Sequence, residues 1–93
     1  MAYRIELTPA AEKSLAKLAK NNRVLLREID QVLLSLADSP VPANCKQLVG
    51  EDPPLSRVRV GDYRILYQIE DEVVDILVVH VRHRKDVYRF LKR

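Results

Sequence analysis

The sequence predicts an α+β fold of order β-α-α-β-β-β. In this fold a helical hairpin packs on a twisted antiparallel sheet, and the C-terminus has room for a short helix. Three observations predict it: two amphipathic stretches of helical period between residues 9 and 38, strict alternation on both sides of Gly61-Asp62, and an apolar run at 73–81. The 93 residues are expected to form one domain, 1–93, around a modest core.

Tyr3-Arg4-Ile5-Glu6-Leu7 alternates apolar and polar, as a half-buried strand does. Thr8-Pro9 then reads as an N-cap followed by proline at the first helical position, with Glu12 early in the helix. Ala11, Leu15 and Leu18 keep one apolar face, and the helix is expected to stop near Asn21-Asn22. A second helix follows from Arg23. Its Leu25, Ile29, Val32, Leu33 and Leu36 form one stripe, and Pro40 and Pro42 end it. So short a link makes the two helices an antiparallel pair. Val41 to Leu55 is loop. Arg57-Val58-Arg59-Val60 and the return strand Tyr63 to Ile69 flank the two-residue hairpin signal Gly61-Asp62. Glu70-Asp71-Glu72 turns the chain again, and Val73 to Val81 reads as a strand buried on both faces.

Composition narrows the function classes. A chain 47% hydrophobic and 31% charged belongs with globular proteins rather than disordered ones. No apolar run approaches the roughly 18 residues of a membrane span, and MAYRIELTP has no apolar signal core. A cytoplasmic address without membrane partners is expected. The lone Cys45 excludes an internal disulfide and a cysteine-based metal site. The two histidines are flanked by cations that would repel a divalent ion, so no metal is expected. Only Gly50 and Gly61 are present, too few for a phosphate-cradling loop, and no cofactor is expected. The net charge of +3 is unevenly spread. Arg82, Arg84, Lys85, Arg89, Lys92 and Arg93 face Asp86 alone, and Arg57, Arg59 and Arg64 face Asp62, so the remainder is acidic. A concentrated basic feature on an acidic body suggests a polyanionic partner.

The hairpin gives that feature a geometry. With Gly61-Asp62 as the loop, Val60 faces Tyr63, Arg59 faces Arg64 and Val58 faces Ile65. Val58, Val60, Tyr63, Ile65 and Tyr67 then share one face, while Arg57, Arg59 and Arg64 share the other. Like charges directly opposed across strands destabilise a sheet. Either the arginines splay into water and merely guard an edge, or they form an anion site, since each guanidinium fork binds phosphate through two parallel hydrogen bonds. The last strand returns Arg82 and Arg84 to the Arg64 end. A helical turn from Arg84 sets Tyr88 on the same side, with His83 close by. Tyr88 as a plug of the core is the plain structural alternative.

The segments CKQLVG, RVRVGDYRILYQI and VRHRKDVYR resemble successive signatures of the RelE/ParE toxin superfamily of bacterial toxin–antitoxin systems. The likeness runs from YRIELTPAAEKSLAKL to Tyr88. The resemblance implies a β-α-α-β-β-β toxin held silent by a cognate antitoxin. RelE-like members cleave mRNA in the ribosomal A site, and ParE-like members poison DNA gyrase. By position, Arg57, Arg59 and Arg64 match basic residues of the RelE hairpin, Arg84 the arginine after the last strand, and Tyr88 the C-terminal tyrosine. That set leans toward the nuclease branch, whose partner is the ribosome with its mRNA. RelE-type enzymes have lysines where this chain has Arg57 and Arg59, and a guanidinium stays protonated, so neither can be a general base.

The chemistry so implied is attack of a ribose 2′-OH on the adjacent phosphate. Arg64 and Arg84 are then the candidates for stabilising the transition state, and Lys46, Arg57, Arg59 and Arg82 for holding the backbone. For proton transfer three candidates stay open: Tyr88, whose phenol the nearby cations would acidify; His83, whose ring titrates closest to neutrality; and Lys46. His80 alternates with the strand and reads as structural. A gyrase poison and a non-catalytic RNA- or ribosome-binding module remain the alternatives.

Overall fold

A computed structural model describes residues 2–48, 50 and 54–91, with side chains as far as Val87. Strand β1 (Arg4–Leu7) ends at Thr8, whose hydroxyl accepts from the Ala11 N–H at 3.2 Å and opens α1 (Pro9–Asn21). Asn22 serves both helices. Its backbone N–H donates to the Leu18 carbonyl at 2.8 Å, and its Oδ1 accepts from the Leu25 N–H at 3.1 Å to start α2 (Arg23–Asp38). One residue thus satisfies an orphaned carbonyl of α1 and an orphaned N–H of α2, and the turn can be a single residue. The helix boundaries fall where the sequence predicts them.

The strands that follow are β2 (Lys46–Gln47), β3 (Ser56–Val60), β4 (Tyr63–Glu70) and β5 (Asp75–His83), after which α3 (Arg84–Leu91) begins at once. Their order in the sheet is β1-β5-β4-β3-β2. The fold class is α+β, as predicted, with two departures in the sheet. β1 pairs parallel with β5, while every other pairing is antiparallel. β1 neighbours the last strand rather than the next one, so no tight turn dictates its direction. The stretch expected to be all loop contributes β2, whose Lys46 pairs with Arg57.

α1 and α2 lie on one face of the sheet. Ala11, Leu18, Ile29, Leu33 and Leu36 interlock there with Val58, Val60, Ile65, Tyr67, Ile76, Val78 and Val81. Tyr67 is fully buried, its phenol donating to the Pro40 carbonyl at 2.8 Å beside Cys45 Sγ at 3.2 Å. That bond pins the loop after α2 to the core, and burial pushes the phenol pKa far up. β5 begins at Asp75 instead of Val73, because Asp71–Val73 form a 3₁₀ turn and Val74 adopts a left-handed φ of 51°. Leu77 and Val79 are only half-buried, so β5 is not sealed on both faces as expected: the helical pair covers one side.

The register of β5 against β4 contains one irregularity. Leu66 pairs with His80 but Tyr67 pairs with Val78, so Val79 is an extra residue, a β-bulge. The bulge reverses the phase of the strand. Before it, Ile76 and Val78 face the helices; after it, Val81 does, and His80 and Arg82 turn to the open side. Thr8 clasps this point, its N–H donating to the Val78 carbonyl at 3.1 Å and its hydroxyl to the Val79 carbonyl at 2.5 Å. Replacing Thr8 by Ala removes a helix cap and strands the bulge carbonyl. We expect a loss of about 1–2 kcal/mol, read as a fall in melting temperature of roughly 4–8 °C per kcal/mol. Thr8→Ser, which keeps the hydroxyl, should melt within a degree or two of the parent.

Candidate nucleic-acid interface

The open face of the sheet carries the charge. Directly paired residues in an antiparallel ladder point the same way, and the pairings Arg59↔Arg64 and Arg64↔Arg82 set three guanidiniums in one line across β3, β4 and β5. A second line lies beside it: Lys46↔Arg57, Arg57↔Leu66 and Leu66↔His80. Leu66 is 0% exposed although it faces away from the helical core. The two lines together make a cationic band running across the strands rather than along them.

Each member is held differently. The Arg64 guanidinium folds back on the hairpin loop, donating to the Gly61 carbonyl at 3.2 Å and the Tyr63 carbonyl at 3.0 Å. Gly61 stands in the left-handed region at φ 58°, which lets the loop close in two residues. Arg82 Nε donates to His80 Nδ1 at 3.2 Å. Arg57 Nε is buried without a hydrogen-bond partner, an unusual condition for a donor on a cation. Arg59 is exposed. Arg84 is the first residue of α3, exposed, with its N–H donating to the Asp62 carbonyl at 2.8 Å. That bond ties the start of α3 to the hairpin loop and so to the Arg64 end of the band. Tyr88 follows Arg84 by one turn in α3, and its side chain lies outside the described residues.

His83 is not brought to the band. It pairs with Tyr63 on the helix-bearing face and meets that ring edge-to-face at 5.7 Å. Its Nδ1 accepts from the Lys85 N–H at 3.2 Å, and it lines a cleft with Lys13, Lys17 and Asp86. The histidine that does stand with the arginines is His80, read from the sequence as structural. Burial first, and the Arg82 charge second, lower its pKa below the ordinary histidine value. The spacing of His80 to Arg82 held the signal, since residues two apart in a strand share a face. Among the described residues no group of three or more His, Cys, Asp or Glu side chains could hold a metal ion, and no helix is long and apolar enough to cross a membrane.

Known proteins carry the same architecture. The family model described as the ParE toxin of type II toxin–antitoxin system, parDE, matches residues 5–88. The chain belongs to the RelE/ParE family of toxins. This toxin is 33% identical over 89 residues to toxin RelG of Mycobacterium tuberculosis, covering 96% of this chain and 99% of that one. In structure it is similar to a chain of the archaeal RelE–RelB complex from Pyrococcus horikoshii, with a TM-score of 0.77, 26% identity, and coverage of 90% and 97% of the two chains. It is equally similar to a chain of the RelBE2 toxin–antitoxin complex of Mycobacterium tuberculosis, with a TM-score of 0.77 at 28% identity and coverage of 90% and 100%.

A band of opposed like charges costs stability that the toxin gives up for its surface. Arg59→Thr relieves the Arg59–Arg64 repulsion and inserts a residue that suits a strand. It should stabilise the fold by about 0.2–1 kcal/mol. The gain should shrink between 10 mM and 1 M salt as screening removes the repulsion; urea unfolding at both salts reads this.

Proposed function

We propose that the toxin is an endoribonuclease that cuts mRNA on the ribosome and so stops translation. The observation that supports this most directly is the line Arg59–Arg64–Arg82, three arginines paired at strand spacing on an open face. Such forks pair with successive backbone phosphates without reading bases. The reading rests also on the likeness to RelG and to the RelE–RelB structure.

The reaction needs no nucleophile from the protein, because the substrate carries its own 2′-OH. The 2′-hydroxyl gives up its proton and its oxygen bonds to phosphorus as the bond to the 5′-oxygen breaks, and the departing oxygen takes up a proton. The upstream product keeps a 2′,3′-cyclic phosphate, and the downstream product a 5′-hydroxyl. Negative charge gathers on the phosphoryl oxygens in the transition state. Donors already in place there are worth roughly 3–4 kcal/mol each. Arg64, braced by two loop carbonyls, and Arg84, at the start of α3, take this role. Lys46, Arg57, Arg59 and Arg82 hold the backbone. With His83 on the other face, the proton transfer falls to Tyr88, one turn after Arg84, or to Lys46.

A cognate antitoxin is the second partner. The similar chains from Pyrococcus horikoshii and Mycobacterium tuberculosis come from toxin–antitoxin complexes, and acidic side chains laid on this band would offset its repulsion. A toxin that cuts mRNA on the ribosome would act in the cytoplasm.

The ParE description of the matching family supports one rival, a gyrase poison. The two readings separate in a translating extract with 5′-end mapping of the mRNA. The toxin should cut messages in codon phase. Arg64→Ala and Arg84→Ala should each slow cutting by at least about 100-fold, and Tyr88→Phe should slow it by a similar factor. Intact mRNA together with trapped gyrase–DNA complexes would replace the nuclease by the poison. Neither effect from wild-type protein would leave a binding module.

A further inference from the structure

At the end of the sheet remote from the hairpin loop, a cleft of about 800 Å³ opens between the end of α2, the β2–β3 pair and the end of β4. Small-ligand sites have this size. We propose that the cleft binds an aliphatic cation, an ammonium or guanidinium group on a short methylene stem. The site stands apart from the arginine band and is independent of whether the toxin cuts RNA.

Two independent observations point to a ligand. The first is Ser56. It shares the helix-bearing face of β3 with Val58 and Val60 and pairs with the fully buried Tyr67, a place that suits an apolar side chain. Ser56 is 9% exposed and lines the cleft, yet among the described residues its hydroxyl makes no hydrogen bond. The nearby Tyr67 phenol is already engaged by the Pro40 carbonyl and Cys45. A buried hydroxyl without a partner is rare and costly. The second observation is charge. Asp38 is the last residue of α2, at the negative end of the helix dipole, where a basic residue is the stabilising choice; the last turn has none. Glu70 and Asp71 line the same cleft, and the Tyr3 phenol donates to Asp71 Oδ1 at 2.6 Å. Among the described residues no cation pairs with any of these three carboxylates, since Arg4 bridges Asp75 and Glu6 instead.

The lining selects the ligand. Three carboxylates beside a helix C-terminus repel an anion. Among the described residues no three acidic, His or Cys side chains lie so as to hold a metal ion. The lining also includes Pro40, Val41, Pro54 and Ile69, apolar surface on which a methylene stem lies as the stem of a lysine or arginine does. Ser56, the most buried polar residue of the lining, accepts an N–H of the cation, and the carboxylates meet its charge. A bare inorganic cation gains the charge alone, without the stem and hydroxyl contacts. The arginines at the other end of the sheet repel the same ligand and so confine it to this cleft. Free polyamines and the basic side chain of a bound partner share this chemistry.

The test titrates the intact toxin at low salt with putrescine, agmatine and Nα-acetyl-argininamide, following the backbone amide NMR signals of Ser39, Ser56, Gln68 and Asp71. Butanol serves as a stem without charge, and ammonium chloride as a charge without a stem. The three cations should shift these signals saturably, and the two controls should not. Putrescine binding more tightly than the capped arginine assigns the cleft to free polyamines; the reverse order assigns it to a partner's basic side chain. Either order supports the site. Ser56→Ala should weaken binding about tenfold, as expected for loss of a hydrogen bond to a charged group. Asp38→Asn should weaken it about two- to fivefold, the effect of one exposed charge pair. Asp71→Asn, which keeps an acceptor for Tyr3, should do the same. No saturable shift up to roughly 20 mM ligand, equal shifts with butanol, or unchanged binding in both Ser56→Ala and Asp38→Asn would overturn the proposal. Circular dichroism checks that the variants are folded; if Ser56→Ala is not, Asp38→Asn at the exposed helix end decides. Absence of mRNA cleavage bears on the nuclease reading alone and leaves this titration as the judge of the cleft.

Discussion

The constraint on which the site depends is one extra residue in β5, held by one hydroxyl. In an unbroken strand, Ile76, Val78, His80 and Arg82 would all face the helices, burying an imidazole and a guanidinium in an apolar layer. The bulge at Val79 reverses the phase, so Val81 completes the core while His80 and Arg82 go outward. Thr8 satisfies the carbonyls at that point and starts α1 with the same side chain. The first helix, the first strand and the functional face therefore meet at a single threonine.

The open face shows what a scaffold can impose against local preference. Side by side in water, three guanidiniums would separate, yet pairing across β3, β4 and β5 holds them in line. The energy that resists their repulsion comes from the opposite face, where Val58, Ile65 and Val81, the alternates of these cations, are sealed by α1 and α2. Acidic strand residues lie at the other end of the face. Arg4 bridges the buried Asp75 at 3.1 Å and Glu6 at 3.4 Å at the far end of β5. One face of one sheet is therefore basic toward the hairpin loop and acidic toward the other end. Of the two ends, the basic one is complementary in charge to a polyanion.

Much of the fold was legible because its signals are local. Thr8-Pro9 and Asn22 mark helix ends through their own backbone hydrogen bonds. Gly61-Asp62 sets the register of β3 on β4 and, with it, the opposition of Arg59 and Arg64. The parallel pairing of β1 was not legible, since no loop joins β1 to β5. Nor was the short β2, two residues long within a proline-rich stretch. The exchange of roles between His80 and His83 was half legible. Counting back from Arg82 separates them, yet the direction of each depends on a bulge hidden in the run Val78-Val79. Identical side chains on neighbouring positions give no hint of which one is extra.

By itself, the sequence determined the two helices of the hairpin, the longer strands, the hairpin register and the concentration of cations around it, because periodicity, caps and a two-residue turn act over a few residues. Only the tertiary structure decided which side of β5 faces water, which histidine joins the arginines, and that β3, β4 and β5 set three guanidiniums in one line. Those outcomes depend on contacts between Thr8 and Val79 and between β4 and β5, far apart in the chain, where no local preference distinguishes the alternatives and burial of the apolar set selects among them.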